Sequence, residues 1–371
     1  MPRVSVVIPT YNQEAYISQA IDSVLQQTYQ DFEIIIVNDA SSDCTVEKIL
    51  EISDSRLRLF SFKQNQGESA ATNYGIQQAS GEFIAILHSD DVFFPQKLEK
   101  QVNFLESHPQ YHAVLTYPQL ISDRGEVLPP SNSFLSRVFL QPNRTRFQWL
   151  EYFFRKDNCL CQTSSLIRQA CYQTVGFYDP RFRQIPDFEF WVRFCLQYEL
   201  YILPETLVKY RVHQSNISGI KPETIIRHHF ELSQVLKRYF CQAVYQNLLA
   251  IFPNCLESGE QFEPSLADFL LARYALKIKR APHQYLGLDT LFNLLADPEK
   301  AHLIQKYYQF DASDLGNLTK SYDIFNLKNL DSQLPINSID SPSKNPQKSP
   351  LPLVSLIIPT YNGEAFIAEA L

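Results

Sequence analysis

The 371-residue chain lacks several features that would assign it to well-known classes. It has only 10 glycines, which argues against a protein built on glycine-rich phosphate loops. Its 33 Lys and Arg residues are outnumbered by 40 Asp and Glu residues, giving a formal charge of −7. Proteins that grip nucleic acid through phosphates normally carry a basic excess, so nucleic-acid binding is disfavoured. No run of about 18 apolar residues predicts a transmembrane helix, and the apolar run at residues 4–8 is too short for a secretory signal.

The cysteines also lack a recognisable pattern. There are seven, an odd number, and no CxxC pair occurs. Cys159 and Cys161 are the one closely spaced pair, and no second pair could complete a zinc site with them. Neither a disulfide framework nor a structural zinc site is predicted, and the reduced cytosol is the expected compartment.

Strand-like and helix-like segments alternate over the first 120 residues. Continuous apolar runs, typical of strands buried on both faces, cover residues 4–8, 32–37, 57–62, 82–87 and 113–117. Helices are predicted between them at residues 14–27, 45–52, 69–79 and 95–106. This alternation predicts an α/β fold with a parallel sheet and right-handed crossovers. Ligands of such sheets bind beyond the carboxyl ends of the strands.

The rest of the chain changes character in steps. Residues 118–220 are less regular and residues 223–330 are predicted to be mostly helical, while residues 331–352 are rich in Pro and Ser and are predicted to be a linker. Residues 354–371 then repeat residues 4–21 with eleven of eighteen positions identical. We expect residues 353–371 to be the first strand and helix of a second domain, truncated from a longer tandem protein. A recent partial duplication is the alternative.

Polar residues follow three of the predicted strands. Pro9-Thr10-Tyr11-Asn12 follows the first, Asn38-Asp39 follows the second, and His88-Ser89-Asp90-Asp91 follows the fourth. An aromatic face, an amide and a carboxylate could together bind a planar base. Two adjacent carboxylates at the mouth of a parallel sheet are costly unless something cationic joins them.

With these motifs the chain resembles the family 2 glycosyltransferases of the GT-A fold. The matching segments, in family order, are VSVVIPTYNQEAYISQAIDSVLQQTYQDFEIIIVNDASSDCT, NQGESAATNYGIQQASGEFIAILHSDD, VGFYDPRF with PDFEFWVRF, and LVKYRVHQSNIS. The resemblance covers residues 3 to about 218. It implies a GT-A domain at residues 1–222, Rossmann-like with a mostly parallel sheet flanked by helices, followed by a helical extension at residues 223–330.

The resemblance implies the inverting transfer of a sugar from a nucleotide-diphosphate donor to an acceptor hydroxyl. The positions that match donor nucleotide-binding residues are Pro9, Thr10, Tyr11, Asn12, Asp39, Asn73, Asp90 and Arg211. The implied cofactor is a divalent cation, Mn²⁺ or Mg²⁺, with Asp91 and His213 as ligands, and it would offset the charge of the leaving diphosphate. The alternatives are a helix-capping role for Asp91 and an ordinary surface or core histidine at position 213.

The resemblance places the general base at Asp187. A positioned base contributes roughly 10²- to 10⁴-fold to the rate. The alternative for Asp187 is a carboxylate that favours the N-terminus of the helix formed by FEFWVRF, and Glu189 is the second candidate for the base.

The sequence departs from the family at two positions. His88 stands where the family usually has an Asp, which predicts weakened metal binding, and Thr72 stands where many members have an Arg. These departures support an alternative function, a degenerate domain that binds nucleotide or glycan without catalysis and assists an active second domain. A nucleotidyltransferase or a dinucleotide oxidoreductase is disfavoured because no glycine-rich loop follows the first strand.

The resemblance leaves the donor and acceptor open. A UDP-sugar is favoured as donor, and a glycan or lipid-linked glycan of a cell-surface polysaccharide as acceptor. Four cations, Arg273, Lys277, Lys279 and Arg280, would suit peripheral contact with anionic lipid at the inner face of the membrane. A solvated helix face is the alternative for that cluster.

Overall fold

The structure is a computed structural model that describes residues 1–129, 138–213 and 222–324. Residues Met1–Phe325 form one compact unit. The predicted linker and the predicted start of a second domain lie outside the described residues.

The element order agrees with the alternation in the sequence over the first 120 residues. The strands are β1 (Val4–Thr10), β2 (Phe32–Asn38), β3 (Leu57–Ser61), β4 (Phe83–Ile86), β5 (Val92–Phe93), β6 (Tyr111–Ile121), β7 (Leu166–Arg168) and β8 (Glu199–Arg211). The helices described before residue 196 are α1 (Ile17–Leu25), α2 (Thr45–Leu50), α3 (Glu68–Gln78), α4 (Lys97–Ser107), α5 (Arg146–Arg155), α6 (Ala170–Val175) and α7 (Pro186–Cys195). They are followed by α8 (Pro222–Lys237), α9 (Gln242–Tyr245), α10 (Leu248–Ile251), α11 (Ala267–Leu276), α12 (Ala281–Leu295), α13 (Pro298–Tyr308) and α14 (Ala312–Ser321).

The eight strands form one mixed sheet in the order β3-β2-β1-β4-β7-β6-β8-β5. β1 to β4 are parallel to one another, as are β6 and β8. β7 runs antiparallel to both β4 and β6, and β5 runs antiparallel to β8. The mostly parallel sheet is confirmed. β7 was not predicted, because a strand of three residues is too short to show periodicity.

Helices cover both faces of the sheet. Every residue of β1 and β2 is buried, which explains their uninterrupted apolar sequences. On one face, apolar side chains of α1 and α4 pack against the strands. On the other face, α3, α5 and α7 form a larger core that contains Trp149 and Trp191.

The helices after residue 222 share that larger core. Leu232 of α8 and Phe269 of α11 belong to the same buried cluster as Trp149 of α5. The Tyr239 hydroxyl donates to the Leu150 carbonyl, 2.9 Å away. The predicted helical extension is thus packed directly on the sheet domain.

The predicted membrane-contact cluster is largely engaged within the protein. Arg273 pairs with Glu260, Lys277 with Glu257, and Arg280 with Asp157. Among the described residues, no helix has the length and apolarity needed to cross a bilayer.

Candidate functional site

The loops that follow β1 and β2 are tied together by side chain–backbone hydrogen bonds. The Asn12 N–H donates to Ser41 Oγ at 2.9 Å, and Asn12 Oδ1 accepts from the Ser42 N–H at 2.8 Å. Asn12 and Ala40 both have left-handed backbones, with φ of 51° and 62°. This is an unfavourable conformation for a residue with a Cβ, so the surrounding contacts must hold it.

Residues at the end of β1 present both an aromatic face and an unsatisfied hydroxyl. Pro9 and Thr10 are buried, whereas the Tyr11 side chain is 46% exposed and available for stacking. Thr10 Oγ1 is buried without a hydrogen-bond partner among the described residues. A buried polar atom of this kind favours a ligand that supplies the missing bond.

Asp39 shapes the loop that leads into α3. Its Oδ1 accepts from the Gln66 N–H and its Oδ2 from the Gly67 N–H, both at 2.7 Å. Gly67 has a φ of 97°, and the Arg183 guanidinium lies where a Cβ would stand. Each carboxylate oxygen can accept a second bond, so Asp39 retains capacity for an N–H of a base.

Asp91 is the most deeply buried carboxylate at this edge of the sheet, with 1% exposure. Its Oδ1 accepts from the Arg211 N–H at 2.8 Å, while Oδ2 has no hydrogen-bond partner among the described residues. Burial and the neighbouring Asp90 raise the pKa of Asp91 above its usual range. Oδ2 can therefore accept a bond from a further donor or a cation.

The residues present fit a divalent cation only in part. His213 Nε2 lies 2.9 Å from Asp90 Oδ2, and the described residues include no group of three or more His, Cys, Asp or Glu that could hold a metal. Mg²⁺ is commonly bound by one or two carboxylates together with substrate phosphates. Asp91 therefore suits a cation whose remaining ligands come from a diphosphate and water.

His88 places a positive charge beside these carboxylates. Its Nε2 lies 3.1 Å from Glu68 Oε1 and its Nδ1 lies 3.9 Å from Asp91 Oδ2. Burial alone would lower the pKa of His88, but Glu68, Asp91 and Asp90 raise it to about 10. The expected weakening of metal binding thus has a physical basis, because a cation already faces the free oxygen of Asp91.

Arg211 holds the Asp90–Asp91 turn in place through hydrogen bonds from both its backbone and its side chain. The side chain is buried, its Nε donates to the Asp90 carbonyl at 2.7 Å, and its Nη1 donates to the Ser122 and Asp123 carbonyls. Its Nη2 donates to Gln19 Oε1. A direct contact with a diphosphate would require some of these bonds to break, and that role stays a prediction.

Asn73 is also engaged with the backbone. Its amide nitrogen donates to the Tyr178 carbonyl at 2.7 Å, and its oxygen accepts from the Tyr178 N–H at 3.0 Å. The pair joins α3 to the segment that precedes α7. Asn73 thereby connects the donor side of the predicted site with the segment that carries Asp187.

Asp187 lies in the first turn of α7, directly after Pro186. Its Oδ2 accepts from Asn158 Nδ2 at 2.6 Å. Burial raises the pKa of Asp187 to about 6, assisted by Glu68 and opposed by the Phe188 N–H, His88 and Asn158. A carboxylate with a pKa close to neutrality suits a general base.

Glu189 is a poorer base because it is fully buried and charge-neutralised. Arg193 contacts one of its oxygens at 2.7 Å and Arg238 contacts the other at 2.8 Å. The two guanidinium groups occupy the carboxylate oxygens that a base would turn toward an acceptor hydroxyl.

Several residues around Asp187 were not predicted as parts of the site. Glu68 follows Gly67 in the matched segment NQGES, which is the one available signal. Asn158, Arg183 and Glu231 lie in stretches without a motif, and their contacts join residues far apart in the chain.

Comparisons with known proteins identify the family to which the chain is similar. The family model for glycosyl transferase family 2 matches residues 5–175. An uncharacterised glycosyltransferase of Methanocaldococcus jannaschii is 28% identical over 253 residues, which are 66% of this chain and 83% of that protein. The putative glycosyltransferase EpsE of Bacillus subtilis is 31% identical over 219 residues, 57% of this chain and 73% of that protein.

Solved structures show the same fold. TarS 1–349 of S. aureus in complex with UDP has a TM-score of 0.52 at 18% identity, covering 89% of this chain and 92% of that chain. The mannosyltransferase PcManGT of Pyrobaculum calidifontis, in complex with GDP-Man and Mn²⁺, has a TM-score of 0.50 at 18% identity, covering 90% and 88%.

Proposed function

Because the chain belongs to the family 2 glycosyltransferases, we propose that it transfers a sugar, with inversion, from a nucleotide-diphosphate sugar to an acceptor hydroxyl. The observation that carries the proposal is Asp187, a partly exposed carboxylate whose pKa of about 6 suits proton abstraction. Its electrostatic neighbours include His88 and Glu68, which also border the Asp91 turn. The proposed base and the proposed donor site therefore share His88 and Glu68 as electrostatic neighbours.

The donor is proposed to be a nucleoside-diphosphate sugar, with a UDP-sugar favoured. TarS has been solved with UDP and with UDP-GlcNAc, and PcManGT with GDP-Man. In this chain, Tyr11 would stack on the base and Asp39 would accept from a base N–H. Stacking and a single N–H acceptor do not distinguish uracil from guanine or thymine, so binding measurements with each nucleotide identify the donor.

The mechanism assigns each carboxylate one task. Asp91 would hold a divalent cation, Mn²⁺ or Mg²⁺, which offsets the charge of the departing diphosphate when bound. Asp187 takes the proton of the acceptor hydroxyl while that oxygen forms a bond to the anomeric carbon and the bond from this carbon to the diphosphate breaks. Attack on the face opposite the leaving group inverts the configuration.

The acceptor is proposed to be a glycan or lipid-linked glycan of a cell-surface polysaccharide, met on the cytoplasmic side of the membrane. Peripheral membrane contact belongs to the same proposal. The ion pairs of Arg273, Lys277 and Arg280 give it little support, because these cations already have carboxylate partners.

A second candidate function rests on His88. A protonated imidazole 3.9 Å from Asp91 Oδ2 competes with a metal for that oxygen. A domain that binds nucleotide or glycan without catalysis, in support of an active domain elsewhere, would tolerate that competition.

Calorimetric titration with UDP, GDP and dTDP, each with and without Mn²⁺, tests the donor site. Release of nucleotide diphosphate from the matching nucleotide sugar then tests catalysis. Metal-dependent binding with turnover supports the transferase. Nucleotide binding without turnover, in the presence of a panel of glycan acceptors, supports the second candidate. If no nucleotide binds, both the transferase and a non-catalytic nucleotide-binding domain are contradicted.

A further inference from the structure

Helix α8 lies beyond the residues matched by the family model, yet its side chains reach the segment that carries Asp187. We propose that α8 positions the general base, with Glu231 as the principal positioning residue. The inference rests on the proposed role of Asp187. It assigns a catalytic purpose to a helix that the sequence placed in an extension of unknown role.

Glu231 holds the turn directly before Asp187. The residue is 4% exposed, and its carboxylate accepts three backbone N–H groups. Oε1 accepts from Arg183 at 2.8 Å, and Oε2 accepts from Gln184 at 2.9 Å and Ile185 at 3.1 Å. Hydrogen bonds to a carboxylate are roughly twice as strong as neutral ones. The next residue, Pro186, has no N–H. Glu231 therefore binds the last three backbone N–H groups that precede Asp187.

Arg238 holds the segment on the other side of the base. It follows the last residue of α8, and its Nε lies 2.8 Å from Glu189 Oε1. Its Nη2 lies 3.2 Å from Asp179 Oδ2. Glu189 is two residues after Asp187 in the first turn of α7. The backbone is therefore fixed both before and after the base.

A third contact from α8 leads to the Asp187 side chain itself. His228 Nε2 lies 2.9 Å from Asp157 Oδ2, and Arg280 contacts the same oxygen at 2.9 Å. The neighbouring residue, Asn158, donates to Asp187 Oδ2 at 2.6 Å. The helices after residue 222 thus hold the segment at residues 157–158, from which Asn158 orients the base.

This arrangement matters for rate because Asp187 has few restraints of its own. Within the described part of the chain, Asn158 is the one side chain that hydrogen-bonds its carboxylate. Glu231 and Arg238 hold the backbone on either side of it through several charged contacts. A misplacement of about 1 Å can reduce a rate by 10²-fold even when it originates away from the reacting atoms. Loosening the turn at residues 183–185 should consequently reduce turnover more than donor binding.

The test compares two buried carboxylates of similar bonding. Glu231→Gln keeps the shape but turns an amide group toward backbone donors. The matched control is Glu33→Gln, because Glu33 accepts from Ser5, Ser80 and Arg58 at the opposite edge of the sheet. Each full-length variant is assayed for release of nucleotide from UDP-GlcNAc, UDP-glucose and GDP-mannose, with thermal unfolding and UDP affinity measured in parallel.

We expect Glu231→Gln to lower kcat by about 10- to 100-fold, with donor KM and UDP affinity within about twofold. The control should lower the unfolding midpoint without changing kcat. Wild-type kcat in a folded Glu231→Gln protein would overturn the inference, as would a loss of kcat that matches the control at equal destabilisation.

If Glu231→Gln does not fold, His228→Ala decides, because it truncates a partly exposed side chain of α8 that contacts Asp157. A kcat about tenfold lower with unchanged donor KM supports the inference, and a wild-type kcat overturns it. Failure of the proposed function is separate, since it would appear as a wild-type protein that releases no nucleotide from any donor.

Discussion

Buried carboxylates at the amino ends of the parallel strands differ from those at the carboxyl ends in their hydrogen bonding and in the direction of their pKa shifts. At the amino ends, Glu33 accepts from Ser80 Oγ at 2.6 Å, Ser5 Oγ at 2.7 Å and Arg58 Nη1 at 2.9 Å. Burial alone would raise the pKa of Glu33, but these bonds hold it below its usual value. At the carboxyl ends, Asp91 Oδ2 accepts no hydrogen bond from any described residue, and both Asp91 and Asp187 have raised pKa values.

The difference indicates which end of the sheet is built for stability and which for a ligand. A carboxylate that is saturated with donors stabilises the fold and has no affinity left for another molecule. One that is buried and under-bonded destabilises the fold until a cation or proton arrives. Perturbed carboxylates at the carboxyl ends agree with the general location of ligand sites in parallel sheets.

Replacing Asp187 should give the largest effect, and it should have opposite signs on activity and stability. We expect Asp187→Asn to lower kcat by roughly 10²- to 10⁴-fold through loss of the base. Because the folded pKa of about 6 lies above that of an unfolded aspartate, the ionised form disfavours folding at neutral pH. The variant should therefore be more stable by roughly 1–3 kcal/mol, measured by urea denaturation at pH 7.

The pH profile is the control for that variant. Wild-type kcat/KM should fall about tenfold per unit as the pH drops below about 6, where the base becomes protonated. Residual activity of Asp187→Asn should lack this acidic limb. A variant that keeps both full activity and the limb would remove Asp187 from the mechanism.

Asp91→Asn should have the next largest effect. We expect UDP affinity measured with Mn²⁺ to fall by about 10- to 100-fold, since the amide offers a metal no negative charge. The affinity for UDP without the metal should change little. Equal affinities of both proteins with Mn²⁺ would show that His88 has displaced the metal altogether.

Glu33→Gln should act on stability alone. Loss of a buried, fully bonded carboxylate should cost about 1–3 kcal/mol, read from urea denaturation. The folded pKa of Glu33 is depressed, so its contribution is present above its unfolded pKa and is lost as the pH falls through the folded value. The difference in unfolding free energy between wild type and Glu33→Gln should thus become smaller as the pH falls. A difference that is constant with pH would show that the ionised form of Glu33 does not stabilise the fold.

The sequence was sufficient to predict where the proposed donor-binding residues lie, but not which residues surround Asp187. The apolar runs of β1, β2 and β4 place the residues that follow them at one edge, so the positions of Thr10, Asp39 and Asp91 follow from local patterns. The surroundings of Asp187 do not. Asn158 and Glu231 reach the Asp187 segment across 29 to 48 residues, and contacts of that separation depend on how helices pack rather than on any periodicity.

Relief of backbone strain should give the smallest effect and sharpen the comparison further. Ala40 adopts a φ of 62° beside Asp39, and Gln309 adopts 51° at the end of α13. A left-handed backbone costs a residue with a Cβ about 1–2 kcal/mol, part of which glycine loses to chain entropy. Both Ala40→Gly and Gln309→Gly should gain about 0.5–1 kcal/mol in urea denaturation. If the left-handed backbone of Ala40 also orders the donor loop, Ala40→Gly should raise the donor KM and Gln309→Gly should not. An unchanged donor KM in both variants would show that the backbone strain has no role in donor binding.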